Sequence, residues 1–282
     1  MTIEVFKVVF VNNHPISFSE KINVTPEYYE LLRERLKVKK IIGKNFVRLG
    51  RETDGGYVMV DNFNVSWGGG MIAYSFGISN DVSWDLDMAR RGYDIFMYDP
   101  TIDALPLSND KFHFFKEGIL GIEVKEKSLN TLENFIKRNG HENKSNMILK
   151  MDVEGAEWSF LSTVSSETLN QFDQILFEFH NMTRPKDQSV MNATLACISK
   201  INRTHSLVHL HGNNYGLNLI LDNKILFPDS LELTYVKTSN YELVDDENIF
   251  LPIPLDTSNN GRTSDIPLGY WNKKFNNVVK IV

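Results

Sequence analysis

The run Met147-Ile148-Leu149-Lys150-Met151-Asp152-Val153-Glu154-Gly155-Ala156-Glu157 decides how this chain folds. Its mostly apolar first half, Met147 to Met151, predicts a buried parallel strand. Gly155 followed by Ala156, Glu157, Trp158, Phe160 and Leu161 predicts the start of a helix. Asp152 and Glu154 then lie at the carboxyl end of a central strand, where open α/β sheets keep their ligand crevice. Carboxylates held together there need a metal, a proton or a polar ligand, because unpaired buried charge is costly. A plainer reading of Glu154 and Glu157 is that they favour the positive end of the next helix.

Outward from that strand the chain alternates strands and helices. Met71 to Phe76 predicts a first strand entering a turn at Gly77, with a helix from about Asp81 to Arg91. Tyr93 to Tyr98 is the second strand, ending at Asp99, and Phe112 to Lys116 the third, ending at Glu117-Gly118. Ser128 is placed to cap a helix bearing Leu129, Leu132, Phe135 and Ile136 on one face. Gln174 to His180 is the fifth strand, a helix covers Val190 to Ile201, and Ser206 to His211 is the sixth. Leu231 to Val236 is a candidate seventh strand, antiparallel to the sixth. Such alternation implies right-handed crossovers and a mostly parallel α/β sheet flanked by helices. Residues 1–44 read as an N-terminal extension, a strand or hairpin and then a helix from Pro26 capped by Thr25. Residues 45–245 form the main domain. Residues 246–282 are a loop-rich extension that covers either the active site or a subunit interface, and the sequence does not choose.

Composition narrows the function. A formal net charge of −6 argues against nucleic acid as the partner. Cys197 is the only cysteine, so no internal disulfide can form, and a reducing compartment fits best. Charges within Met1–Lys7 break the apolar run a signal peptide needs, and no segment reaches membrane-spanning length. The expectation is a cytoplasmic protein acting on a small molecule, with the oligomeric state, homo-oligomer included, left open.

A strand running into Gly77, with Asp81 at the next helix start and Asp99 ending the second strand, forms half of a nucleotide-binding unit. Asp99 stands at about the separation from Gly77 at which an acid reaches a ribose diol. Asp99-Pro100 also suits a simple turn. The loop Ile78-Ser79-Asn80-Asp81 lacks the glycines of a diphosphate cradle, and Asp81 at a helix N-terminus would repel phosphate. S-adenosylmethionine has no phosphate and carries a sulfonium and an ammonium, so acidic surroundings suit it.

Four segments together resemble the FkbM-type S-adenosylmethionine-dependent methyltransferases. They are Arg48-Leu49-Gly50 with Asp54-Gly55-Gly56-Tyr57, then Tyr74-Ser75-Phe76-Gly77-Ile78 through Tyr98-Asp99-Pro100-Thr101, the Lys150–Glu157 run, and Phe177-Glu178-Phe179-His180. The resemblance implies a Rossmann-like class I methyltransferase with a seven-stranded sheet. It places Phe76, Gly77, Ile78, Asp81, Asp99 and Pro100 on the donor. It also sets Glu117 and Gly118 beside the adenine, and Asp54, Gly56 and Tyr57 over the methionine end.

At the acceptor end, Asp152 and Glu154 share a strand face, as do Glu178 and His180. His209-Leu210-His211 and Asn213-Asn214-Tyr215 end the sixth strand. Methyl transfer to a hydroxyl needs that group deprotonated, by His180 or by a divalent ion such as magnesium or manganese. Asp152, Glu178 and His211 are the expected ligands, and a metal-free Glu178–His180 pair is the competing reading. Lys150 is read either as a catalytic group or as the ion-pair partner of Asp152 or Glu178. Arg184, Asn213, Asn214 and Tyr215 suit a hydroxylated acceptor, a sugar or nucleotide-linked sugar of surface-glycan or capsular polysaccharide biosynthesis. A natural-product O-methyltransferase and a nonenzymatic nucleotide-binding protein of the same fold are the rivals.

Overall fold

The computed structural model describes residues 3–11, 14–22, 26–63, 71–121, 128–183, 187–221 and 225–273. Seven strands build its central sheet: β1 (Ile72–Phe76), β2 (Asp94–Tyr98), β3 (Phe112–Phe115), β4 (Met147–Met151), β5 (Phe172–Phe179), β6 (His205–Leu221) and β7 (Ile225–Lys237). They lie in the order β3-β2-β1-β4-β5-β7-β6. β1 to β5 pair in parallel, and β7 runs antiparallel to both neighbours. Every residue of β1, β4 and β5 is buried, as expected of central strands covered on both faces. The covering helices include α1 (Pro26–Arg35), α2 (Ser83–Arg90), α3 (Leu132–Arg138), α4 (Glu157–Thr163), α5 (Ser166–Leu169) and α6 (Gln188–Ile201). Among the described residues no helix is long and apolar enough to cross a membrane.

Two expectations change. The sixth strand does not adjoin the fifth, because β7 folds back between them. In that slot Leu231, Leu233 and Tyr235 are buried completely or nearly so. Ser128 does not cap α3 either. Leu129–Asn130 instead pairs in parallel with Gly118–Ile119, and Thr131 is the cap, its side chain accepting from Asn134 N.

A hairpin of Phe46–Leu49 and Tyr57–Val60 lies against the sheet. Gln174 on β5 fixes it by pairing with both the amide and the carbonyl of Val60, each at 2.9 Å. Thr234 on β7 donates to Val58 O. The hairpin thereby carries its turn, with Asp54, to the carboxyl ends of the strands. The N-terminal residues form a separate hairpin, Ile3–Val11 with His14–Ile22.

β1 and β4 converge at Gly77. Its φ is +78°, and a Cβ there would sit 1.5 Å from the carbonyl oxygen of Asp152. Gly43 also has positive φ, +68°, but faces open space. Gly43→Ala should therefore cost only the left-handed strain, about 1–2 kcal/mol, whereas Gly77→Ala should cost more than about 3 kcal/mol by forcing two buried strand ends apart. Urea unfolding of the two variants measures this, and equal losses would contradict the close crossing.

Candidate active site

A cleft of about 500 Å³ follows the carboxyl ends of β1 and β2. Phe76, Gly77 and Ile78 line one side, while Pro100, Ile119 and Leu129 make an apolar end of the kind a purine fills. Asp54 and Asp81 add acid at the lip. Asp81 is paired with Arg51 at 3.1 Å and caps the start of α2 through Ser83 N and Oγ. An apolar slot with acidic borders and no phosphate cradle fits a cationic nucleoside.

Several expected donor contacts are spent elsewhere. Asp99 lines the cleft, yet Oδ2 accepts from Ile78 N and Ser79 N, both at 2.8 Å, and Oδ1 from Thr101 N and Oγ1 at 2.7 and 2.6 Å. Burial works against its charge, but these donors hold its pKa below the ordinary value. Asp99 here braces the loop after β1, and its oxygens are not open to a ribose diol. Glu117 turns away from the cleft and forms a two-oxygen pair with Arg138 at 2.7 and 2.9 Å. Gly118 does line the cleft, close against Pro100 and Leu129. Gly56 allows the chain to pass Arg51, whose carbonyl oxygen would lie 1.9 Å from a Cβ. Tyr57 is buried and donates its hydroxyl to Asp152 Oδ2 at 3.0 Å. It positions Asp152 and is not part of the cleft wall.

A second pocket, about 460 Å³, opens over the ends of β5 and β7 and shares Asp54, Asp152 and Glu154 with the donor cleft. Asp152, Glu178 and His180 meet at this junction, each offering one ligand atom within 4.8 Å of the others. His180 Nε2 lies 3.5 Å from Glu178, 3.6 Å from Glu154 and 3.9 Å from Asp152. Its Nδ1 faces Glu157 at 3.2 Å. Burial opposes charge on this ring, but Glu157, Glu178 and Asp152 raise its pKa to about 9. These carboxylates favour the protonated ring over the neutral one. Glu157, fully buried in the first turn of α4, also accepts from Val153 N at 2.9 Å, so it serves the helix start and the histidine together.

The sheet register explains the density of acid. Glu178 stands opposite Glu232 on β7, and Glu232 opposite His211 on β6. Asp54, Glu178 and Glu232 form a second triad sharing Glu178. Burial first, then the charges of Asp152 and Glu232, push the pKa of Glu178 well above the usual carboxylate range. Asn213 and Ser230 donate to its Oε1 at 2.7 and 2.6 Å.

His211 is not a member of the Asp152–Glu178 group. Both its nitrogens are taken, by Glu232 and Asp265 at 2.9 Å each. Burial lowers its pKa, but these two acids outweigh that and raise it to about 10. His180, expected as the base, stands beside Asp152 and Glu178 where His211 was expected as a ligand. Lys150 is not in the acceptor pocket: its Nζ enters the donor cleft and donates to Gly77 O at 3.1 Å. Asn214 is committed to the C-terminal extension, holding Ser258, Asn260 and Thr263. Tyr215, 63% exposed, stands at the acceptor rim. Arg184 lies outside the described residues.

Glu232, Asn259 and Asp265 escaped the sequence reading. Glu232 had a signal, as the polar member of the alternating Leu231-Glu232-Leu233. Asn259, whose amide nitrogen reaches Glu232 and Asp54, had none in its loop-rich surroundings.

Fold and paired pockets define a Rossmann-like class I methyltransferase. The methyltransferase FkbM domain matches residues 75–215, half of the chain. The chain belongs to this family and is an S-adenosylmethionine-dependent methyltransferase. No curated protein matches it. Two solved structures are distantly similar. One is described as a candidate RNA methyltransferase from Pyrococcus horikoshii, 12% identical with a TM-score of 0.33, covering 60% of this chain and 75% of that one. The other is described as a candidate hemolysin from Streptococcus thermophilus, 12% identical with a TM-score of 0.35, covering 83% and 79%.

Because Tyr57 touches Asp152 and not the cleft, Tyr57→Phe should leave S-adenosylhomocysteine affinity within about two-fold while lowering stability by about 1 kcal/mol. Calorimetric titration and thermal unfolding read the two effects. A large loss of affinity would return Tyr57 to the donor site.

Proposed function

We propose that the protein methylates a hydroxyl of a sugar or nucleotide-linked sugar, as a cytoplasmic step of surface-glycan biosynthesis. A divalent ion, magnesium or manganese, would be held by Asp152, Glu178 and His180. The observation that carries this reading is the acceptor pocket's lining. Among the described residues it is made of carboxylates, amides, a histidine, a serine, a glycine and one tyrosine, with no aliphatic side chain. Such a wall matches a polyhydroxylated acceptor and offers nothing to an apolar phenol or polyketide. Its acidity requires that any phosphate tag on the acceptor lie outside the pocket. The unpaired, buried Cys197 suits a reducing compartment.

The donor supplies a methyl group activated by sulfonium charge. In the transfer, an acceptor oxygen lone pair forms the new carbon–oxygen bond, the carbon–sulfur bond breaks, and its electron pair stays on sulfur. The hydroxyl proton must leave to the protein side. Asp152, the carboxylate standing where cleft and pocket join, is placed to receive it. Asn213 and Ser230 hold Glu178 in place. A bound divalent ion would supply Lewis acidity, with His180 giving up its proton to serve as a ligand.

An acceptor screen with labelled donor tests the proposal. Sugar nucleotides or sugar phosphates should be methylated, with turnover lost in chelator and restored by magnesium or manganese. Asp152→Asn should lower turnover by about 100-fold or more while leaving S-adenosylhomocysteine binding intact. Activity confined to phenols or protein side chains would end the sugar reading, and turnover indifferent to chelator would end the metal.

A further inference from the structure

The donor cleft contains two buried groups of opposite charge that the proposed chemistry does not use. Lys150 is 5% exposed, and its Nζ reaches the cleft beside Gly77, 5.3 Å from the centre of the Tyr57 ring. Its one hydrogen bond goes to the Gly77 carbonyl, and among the described residues no carboxylate oxygen approaches Nζ within 4 Å. Asp85, in the first turn of α2, is 1% exposed and lines the same cleft, and its Oδ1 accepts no hydrogen bond. Next to it Trp84, also on the cleft wall, leaves its indole Nε1–H without an acceptor. Burial raises the pKa of Asp85, with the Lys150 charge and the Ser75 hydroxyl acting against it.

A buried ammonium, a buried indole N–H and a buried carboxylate, on three residues that line one cleft and keep unused hydrogen-bonding capacity, are costly unless a ligand completes them. The required ligand carries an anion and a cation close together. The amino-acid end of S-adenosylmethionine is such a group, bearing an α-carboxylate and an α-ammonium on one carbon. We infer that Lys150 and Asp85 together read this zwitterion, Lys150 with Trp84 receiving the carboxylate and Asp85 the ammonium. The inference rests on S-adenosylmethionine being the donor. It gives Lys150 a charge-pairing task in place of proton transfer. It also explains why a helix that follows the first strand's glycine turn carries a fully buried acid.

The test compares two ligands by calorimetry on the full chain. S-adenosylhomocysteine carries the zwitterion, whereas 5′-methylthioadenosine keeps the adenosine and sulfur but lacks the amino-acid end. Lys150→Met and Asp85→Asn should each weaken S-adenosylhomocysteine by about 10- to 100-fold and change 5′-methylthioadenosine by less than about two-fold. Retained binding of the shorter ligand shows that each variant is folded. Equal weakening of both ligands would mean that Lys150 and Asp85 serve the fold, and unchanged S-adenosylhomocysteine affinity would mean that they serve neither; each overturns the inference. Should a variant fail to fold, wild-type protein decides with S-adenosylhomocysteine analogues lacking the amino or the carboxyl group. Each analogue should lose about ten-fold or more, and no loss would refute zwitterion recognition. A wild-type chain that binds neither full-length ligand nor 5′-methylthioadenosine would instead indict the donor.

Discussion

The contact on which the site depends is the closure of β1 onto β4 at Gly77 and Asp152. Asp152 N donates to Phe76 O at 3.0 Å, while the Asp152 carbonyl occupies the space a side chain on Gly77 would need. Two parallel strands thus end side by side with no side chain between them. The Asp152 carboxylate is left, with Asp54 and Glu154, where donor cleft and acceptor pocket meet. Tyr57 then holds that carboxylate from the hairpin above. Moving the crossing by one side chain would separate the pockets that a methyl group has to pass between.

A second constraint is charge. Glu178 and Glu232 are directly opposed on neighbouring strands, an arrangement that is unfavourable for like charges. The fold offsets it with histidines that retain protons, His211 between Glu232 and Asp265 and His180 among Glu157, Glu178 and Asp152. Asn259 bridges Glu232 and Asp54. The balance is asymmetric. His211 is sealed between two acids, whereas His180 and Asp152 face the pocket. Added positive charge is therefore better accommodated on the Asp152 side than at His211.

Much of this was legible before folding. Apolar strand runs and their abrupt carboxylate ends gave the parallel sheet, the crevice and the meeting of Asp152 with Glu178 and His180, since those depend on strand period and parallel order alone. The insertion of β7 was not legible, because it depends on which of two hairpin partners gains most by burial beside β5. That error hid Glu232 and moved His211 away from the ligands. The orientation of Tyr57, Glu117 and Asp99 was also beyond reach. A motif shows that a residue is near a ligand, but Arg138, Asp152 and four local donors decided where these side chains turned. Residues 246–273 reach Glu232 and Asp54 through Asn259 and His211 through Asp265, contacts that loop composition did not announce.

Anomalous diffraction from crystals soaked in manganese with S-adenosylhomocysteine tests the central claim most directly. The account predicts one strong peak within bonding distance of Asp152, Glu178 and His180, between the thioether sulfur and the acceptor pocket. A peak on His211 and Glu232, or a fully occupied donor cleft with no manganese beside Asp152, would contradict it.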